Sequence, residues 1–141
     1  GTIALSYVGQ ELVAWRDGDN VHLNDAYCPH LGAHLGVGGR VVDDCLVCPF
    51  HEWAFDAEGR NVDIPYAERP NKKARIRTYP TLVRNGFLLF WYHPDPEVSP
   101  QWDIPDELMP SEFIHAGGFE WVVKTAWQEI AENAVDMAHF K

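Results

Sequence analysis

Two short segments of this sequence each combine one cysteine with one histidine. They read Cys28-Pro-His30 and Cys48-Pro-Phe-His51, with seventeen residues between His30 and Cys48. Thiolate and imidazole ligands together favour zinc or an iron-sulfur cluster. Structural zinc sites usually group two cysteines in one short segment and two histidines in another. In a [2Fe-2S] cluster of mixed ligation, one iron takes both sulfurs and the other both nitrogens, so each loop has to reach both metals. The observed order favours this cluster, and a zinc-stabilised binding module with no redox role is the alternative.

The residues beside these ligand candidates suit two loop tips that clamp a cluster. Pro29 and Pro49 stiffen the tips, because proline fixes its own backbone angle φ. Four glycines of the first loop would let backbone amides approach the sulfides and donate hydrogen bonds to them. These glycines are Gly32, Gly36, Gly38 and Gly39.

The motif Cys28-Pro-His30, seventeen residues, Cys48-Pro-Phe-His51 resembles that of the Rieske iron-sulfur proteins. The respiratory branch of that family has an additional cysteine in each loop, and these two form a disulfide. The corresponding positions here are Ala33 and Phe50, so no such bridge is expected. That branch also places Ser and Tyr hydroxyls near the cluster, where this sequence has Trp53 and Phe55. The resemblance therefore implies a reduction potential near the lower end of the Rieske range of about -150 to +300 mV, similar to Rieske oxygenases and ferredoxins.

Two further candidate ligands lie close to the motif. Cys45 falls in the alternating run VVDDCLVC, which predicts a small buried hydrophobic residue rather than a ligand. His34 shares the first loop with His30 and is expected to have a surface or hydrogen-bonding role.

The end of the sequence carries a second motif. The segment Glu132-Asn133-Ala-Val-Asp136-Met-Ala-His139 resembles the start of the catalytic domain of ring-hydroxylating Rieske oxygenases, where Asp-x-x-His-x-x-x-x-His opens a site of two histidines and one carboxylate. The resemblance implies that His139 is the first ligand of a mononuclear Fe(II). Asp136 would accept the ring N–H of His139 or of a Rieske histidine across a subunit boundary. The second histidine would fall at position 144, past the last residue, so the chain by itself is not expected to hold this iron or turn over substrate.

The resemblance implies a modular function. Electrons would pass through a Rieske [2Fe-2S] cluster to a mononuclear iron, as part of an O2-dependent hydroxylase or dioxygenase of an aromatic or steroid-like substrate. The alternative is a stand-alone Rieske-type ferredoxin. The implied partners are a ferredoxin or flavin reductase as electron donor, a small hydrophobic substrate with O2, and two further copies in a homotrimer. The segment ENAVDMAHF is most similar to the corresponding segment of the ketosteroid hydroxylase and cholesterol desaturase branch.

Hydrophobic residues recur with a period of two from Ile3 to about Thr81, which predicts short antiparallel strands. The fold class predicted is mainly β: a Rieske-type antiparallel β-sandwich with a two-loop cluster-binding subdomain, followed by the first strand and helix of an α+β catalytic domain. Turns are predicted at 17–20, 43–44, 56–59 and 85–86, the last at an Asn-Gly pair. The predicted strands are IALSYV, ELVAWR, VHLND, RVVDD, CLVC, EWAFD, ARIRTYP, TLVRN and FLLFWYH, with FIHAGGFEWVVKTAW as later strand material and QEIAENAVDMAHF as the helix.

Three parts of the chain are predicted from the change in composition. Residues 1–93 form the Rieske [2Fe-2S] domain, and residues 94–112 form a connector with prolines at 94, 96, 100, 105 and 110. Residues 113–141 form a truncated start of the catalytic domain, so we expect a fragment of a longer protein.

The overall charge limits the possible partners. With 21 acidic against 11 basic side chains, the formal net charge is -10, which argues against nucleic acid. The one basic cluster, RPNKKARIR at 69–77, is interpreted as a solvated loop or as a docking patch for an acidic redox partner. An odd number of cysteines and no signal-like start favour a cytoplasmic location. No apolar segment approaches the ~20 residues that cross a bilayer, so no membrane association is expected.

Overall fold

A computed structural model describes residues 1–84, 86–101, 103–105, 117–118 and 121–136. The chain divides into two compact units, Gly1–Leu108 and Met109–Lys141. The strands of the first unit are β1 Thr2–Tyr7, β2 Gln10–Asp17, β3 Asn20–Asp25, β4 Arg40–Val42, β5 Cys45–Val47, β6 Ala54–Phe55, β7 Asn61–Asp63, β8 Thr78–Tyr79, β9 Thr81–Arg84 and β10 Phe87–Phe90. The second unit contains the helix α1, Trp127–Val135.

The strands of the first unit form three antiparallel sheets. One sheet has the order β1-β2-β3-β8, a second has the order β4-β5-β6-β7, and β9 and β10 form a hairpin. The predicted mainly β, antiparallel fold class is therefore confirmed. The second sheet carries the candidate metal-binding loops, because one loop leads into β4 and the other joins β5 to β6.

Strand β2 is buried on both faces and so divides the core in two. Val13 and Trp15 point to one side and belong to the larger hydrophobic cluster, which also contains Cys28 and Cys48. Leu12 belongs to the smaller cluster on the opposite side. Successive side chains of a strand point to opposite faces, which explains this alternation. The candidate sulfur ligands are thereby anchored in the main core.

The predicted turns are found where the backbone angles require them. Asp43 and Asp44 have φ angles of 48° and 58°, as the two-residue turn between β4 and β5 demands. Gly18 in the β2–β3 turn has a φ angle of 48°. In the third hairpin Arg84 lies opposite Phe87 and Gly86 has a φ angle of 78°, whereas Asn85 lies outside the described residues.

Several predicted strands differ in the structure. The strand predicted over 52–56 is reduced to β6, because Glu52 has a positive φ of 59°. The strand predicted over 74–80 is reduced to β8. The carbonyl oxygen of Ala74 instead accepts the N–H of Asn61 at the start of β7, and the N–H of Ile76 donates to the carbonyl oxygen of Gly59 in the β6–β7 loop. Strand β7 was not predicted.

The second unit is described in part. Residues 117–118 and 121–126 belong to no strand, so the strand predicted over 113–127 is absent from the described part of that segment. The helix predicted over 128–140 is confirmed up to Val135, as α1 Trp127–Val135; Asp136 ends it, and residues 137–140 lie outside the described residues. Within the described residues, no helix has the length and apolar character that a bilayer crossing needs. The predicted boundaries at residues 93 and 112 stay predictions.

Candidate metal centre

The first candidate loop folds into a tight turn that begins at Cys28. The N–H of Cys28 donates to the carbonyl oxygen of Ala33 at 2.9 Å, and the N–H of Gly32 donates to the carbonyl oxygen of Cys28 at 2.9 Å. Gly32 has a φ angle of 74°, a conformation that glycine adopts without steric cost. The loop is tied to the core where the N–H of Leu35 donates to the carbonyl oxygen of Ala26.

The second candidate loop repeats this turn at equivalent positions. The N–H of Cys48 donates to the carbonyl oxygen of Trp53 at 2.9 Å, and the N–H of Glu52 donates to the carbonyl oxygen of Cys48 at 3.2 Å. Glu52 occupies the place of Gly32 and also has a positive φ, of 59°. Its carboxylate forms an ion pair with Arg40. The two loops are therefore local structural repeats, although their Cys-to-His spacings differ by one residue.

The two cysteines are buried and close to each other. Cys28 is 2% and Cys48 is 1% exposed, and both are free thiols. Burial is the main cause that raises the pKa of the Cys28 thiol to about 11, and the neighbouring Cys48 adds to the rise. The backbone N–H groups of His30 and Leu31 donate to the sulfur and oppose the rise. A metal that replaces the thiol protons would relieve the cost of a buried thiolate, and these N–H groups would already face the sulfur.

The two histidines form a second pair. The ring centroids of His30 and His51 lie 4.6 Å apart, and the rings meet edge to face. The ring of Trp53 stacks on His30 with a centroid distance of 4.5 Å and an interplanar angle of 5°. Phe50 contacts His51 at a centroid distance of 4.0 Å. Atom Nδ1 of His30 is buried and has no hydrogen-bond partner within the described residues, so its lone pair is available to bind a metal.

This arrangement fits a two-iron cluster. Sulfur lies near sulfur and imidazole near imidazole, as required when one iron takes two thiolates and the other takes two ring nitrogens. Among the described residues, no three His, Cys, Asp or Glu side chains converge as they would around one metal ion. A [2Fe-2S] cluster needs only two protein ligands on each iron. The residues present therefore fit this group by the chemistry of the donor set and by the unpaired Nδ1 of His30.

Tyr66 is part of the surroundings of the site, and no local motif in the sequence indicates its role. The indole N–H of Trp53 donates to the hydroxyl oxygen of Tyr66 at 2.6 Å. Trp53 is almost fully buried, whereas Tyr66 is 63% exposed. Contacts thus run from the surface through Tyr66 and Trp53 to the ring of His30.

His34 has the predicted hydrogen-bonding role. Its Nδ1 accepts the N–H of Gly36 at 3.1 Å, and its ring contacts Tyr27 edge-on. Cys45 differs from its prediction, because it is only partly buried where β5 leaves the turn at Asp43 and Asp44. Burial, and then the nearby carboxylates of which Asp56 is the foremost, raise the pKa of its thiol.

The candidates for the second iron site lie in the other unit. Asp136 is the C-cap residue that ends α1, and its N–H donates to the carbonyl oxygen of Asn133 at 3.4 Å. His139 lies outside the described residues. The roles of both residues therefore stay predictions, as does the predicted helix face that they share.

The family described as Rieske [2Fe-2S] domain matches residues 2–80, which include both loops and the sheets that position them. The chain belongs to this family. The resemblance inferred from the Cys/His motif is thus confirmed, and the zinc-module alternative loses its support.

Curated relatives match nearly the whole of this chain and are longer proteins. The cholesterol 7-desaturase nvd of Xenopus laevis is 44% identical over 136 residues, which are 94% of this chain and 30% of that protein. The oxygenase component of 3-ketosteroid-9-alpha-monooxygenase from Rhodococcus rhodochrous is 38% identical over 141 residues, 94% of this chain and 34% of that protein. The chain spans about 30% of the length of the first of these relatives.

Two solved structures share the fold of this chain. Dicamba monooxygenase with non-heme iron and dicamba superposes with a TM-score of 0.67 and 27% sequence identity, covering 75% of this chain and 32% of that one. NdmA of Pseudomonas putida with caffeine superposes with a TM-score of 0.58 and 28% identity, covering 64% of this chain and 26% of that one.

Proposed function

We propose that this chain is the electron-carrying part of a Rieske oxygenase and that Cys28, His30, Cys48 and His51 hold its [2Fe-2S] cluster. The observation that carries the proposal is the pairing of two buried thiols and two facing imidazoles on structurally equivalent loops. When bound, the cluster supplies reversible one-electron transfer. The relatives named as a desaturase and a monooxygenase component support an oxygenase rather than a stand-alone carrier.

Different residues would hold the sulfur side and the nitrogen side of the cluster. Cys28 and Cys48 lie in the core, where burial excludes water from the sulfur side. His30 and His51 are only partly buried and present the nitrogen side to the surface. Trp53 holds the ring of His30 in one orientation by stacking on it. The partly exposed rings of His30 and His51 would then give an electron a short path to a second metal.

The destination of the electron is proposed from the second motif. Asp136 would link a Rieske histidine to His139, the first ligand of a mononuclear Fe(II) in the remainder of the catalytic domain. The apolar side chains of Trp127, Ile130 and Val135 on α1 are exposed, and they would pack against that remainder. We further propose a cytoplasmic homotrimer, in which the cluster of one subunit lies close to the mononuclear iron of its neighbour.

The substrate class is proposed from the names of the relatives. Two of the relatives are named for cholesterol and for a 3-ketosteroid. A flat, hydrophobic, sterol-like substrate with O2 as co-substrate is therefore proposed. Electrons would come from a ferredoxin or flavin reductase. Incubation of the full-length protein, with the remainder of its catalytic domain, with its reductase, O2 and cholesterol, followed by mass spectrometry, tests the substrate class. Conversion of a non-steroidal aromatic compound alone would contradict it.

The cluster itself is tested by spectroscopy of the purified protein. Anaerobic purification should give two irons and two acid-labile sulfides per chain and, after dithionite reduction, the EPR signal of a mixed-ligand [2Fe-2S] cluster. His51→Ala should abolish this signal. His34→Ala is the matched control, because His34 is in the neighbouring loop and already has other partners. Equal loss of the signal in both variants, or a colourless wild-type protein, would overturn the ligand assignment.

A further inference from the structure

Positive charge is concentrated in one loop of an otherwise acidic chain. Five of the 11 Lys and Arg side chains lie within residues 69–77, whereas the formal net charge of the chain is -10. Arg69, Lys72 and Lys73 are exposed. Within the part of the chain that the structure describes, none of the three forms an ion pair with a carboxylate. Their charge is therefore available to a partner.

The loop that carries these cations is fixed to the sheet of the candidate metal centre. The buried side chain of Asn61 accepts the N–H of Asn71 at 2.8 Å and donates to the carbonyl oxygens of Ala54 and Asp63, both at 3.0 Å. The side-chain oxygen of Asn71 in turn accepts the N–H of Lys73 at 3.1 Å. The backbone of the loop is thus held in place, so a partner would lose little conformational entropy of this segment on binding.

The same loop begins beside the surroundings of His30. Tyr66 precedes Arg69 by three residues, and its hydroxyl accepts the indole N–H of Trp53. Trp53 stacks on His30. A protein bound on the cations would therefore be near a continuous chain of contacts to a predicted iron ligand.

We propose that Tyr66, Arg69, Lys72 and Lys73 form the docking surface for an acidic electron-donor protein. The proposal rests on the proposed function, because it locates the donor that this function requires. In the docked complex the donor loses one electron and the metal centre gains it, with no bond made or broken. Complementary charge accelerates the encounter and aligns the partners, while the aromatic pair shortens the gap to His30.

A protein fits this surface better than an anionic membrane does. A bilayer presents a broad negative surface, which would repel the remainder of a chain whose net charge is -10. A protein needs to cover only about 800 Å² on each partner, so the contact can be confined to the cationic loop.

The test measures binding without electron transfer. The probe is an oxidised, acidic plant-type [2Fe-2S] ferredoxin, titrated into the anaerobically purified protein by isothermal calorimetry at low and at high ionic strength. We expect binding to weaken as salt rises, and K72E/K73E to raise the Kd about tenfold or more at low salt. The matched control is R16E/K124E, which changes two other exposed cations by the same charge and should alter the Kd less than about twofold.

Each result decides the proposal. If both variants weaken ferredoxin binding equally, the effect is one of net charge and the docking surface is refuted. Unchanged binding by K72E/K73E, or no binding by the wild type, would also refute it. Loop-dependent binding to phosphatidylserine vesicles, without ferredoxin binding, would replace the protein partner with a membrane. Circular dichroism checks that both variants fold. Iron, sulfide and EPR measurements test the proposed function separately, because docking through this loop is measured whether or not the EPR signal appears.

Discussion

The side chain of Asn61 is expected to hold the cationic loop, residues 69–77, onto the sheet that carries the second candidate metal-binding loop. It is 5% exposed and makes three hydrogen bonds, to the carbonyl oxygens of Ala54 and Asp63 and from the N–H of Asn71. The change Asn61→Ala removes all three bonds at once and leaves the backbone of β7 in place. The loop should then loosen without loss of the fold.

The expected loss of stability can be worked from the exposure of the three partners. Each hydrogen bond contributes about 1 kcal/mol net, and a buried group left unpaired costs about 1–3 kcal/mol. Asn71 and Asp63 are exposed, so water can replace the amide at both. Ala54 is 8% exposed, so its carbonyl oxygen keeps the larger penalty. The total is about 2–3 kcal/mol, a large part of the ~5–15 kcal/mol that stabilises a typical domain.

Two measurements check this prediction. Anaerobic urea denaturation, followed by circular dichroism, gives the free energy of unfolding. Limited trypsin digestion at Lys72 and Lys73 reports the loosening of the loop and should become faster in Asn61→Ala. The control is Asn20→Ala, which removes one exposed hydrogen bond to Asp17 and should cost less than about 0.5 kcal/mol. A loss below about 1 kcal/mol in Asn61→Ala, with unchanged trypsin cleavage, would refute the assigned role.

Three other outcomes are expected. Gly39→Ala should destabilise by about 1–3 kcal/mol or more, since a Cβ there would lie 2.0 Å from the carbonyl oxygen of Leu35; a shift in urea midpoint no larger than that of Gly18→Ala would contradict this. Gly32→Ala should cost only about 1–2 kcal/mol, because its Cβ meets open space and only the positive φ of 74° is unfavourable; a loss above that of Gly39→Ala would reverse the ranking. His51→Cys should change the visible and EPR spectra and lower the reduction potential measured by dye-linked titration, because a thiolate adds negative charge at the iron. An unchanged spectrum would remove His51 from the ligand set.

Local sequence features predicted β1, β2, β3 and the turn between β2 and β3 well. The four successive buried residues of β2, Leu12 to Trp15, follow from its uninterrupted apolar run, and the turn at Gly18 follows from the need for a positive φ. The Asp43-Asp44 turn was also predictable, because aspartate tolerates the left-handed region better than most residues do. Each of these elements depends on interactions between residues that are close in sequence.

Elements held by distant contacts were not predictable in the same way. Strand β7 pairs with β6, and the buried side chain of its Asn61 accepts the N–H of Asn71, ten residues further along the chain. Asparagine is uncommon in strands, so the local sequence argued against one there. The contact between Trp53 and Tyr66 likewise joins residues thirteen positions apart, with no periodic pattern between them.

The two candidate metal-binding loops have equivalent turns, which the spacing of the predicted ligands alone did not indicate. Gly32 could be assigned a turn from its residue type, but Glu52 adopts the same positive φ at a cost of about 1–2 kcal/mol. Its exposed ion pair with Arg40 contributes at most about 1 kcal/mol. The turn therefore needs further support, and Cys48 and Trp53, which are buried on either side of it and joined by a backbone hydrogen bond, provide that support. The burial of Cys48 and Trp53 in the core, more than the backbone preference of the loop residues, fixes the position from which His51 faces His30.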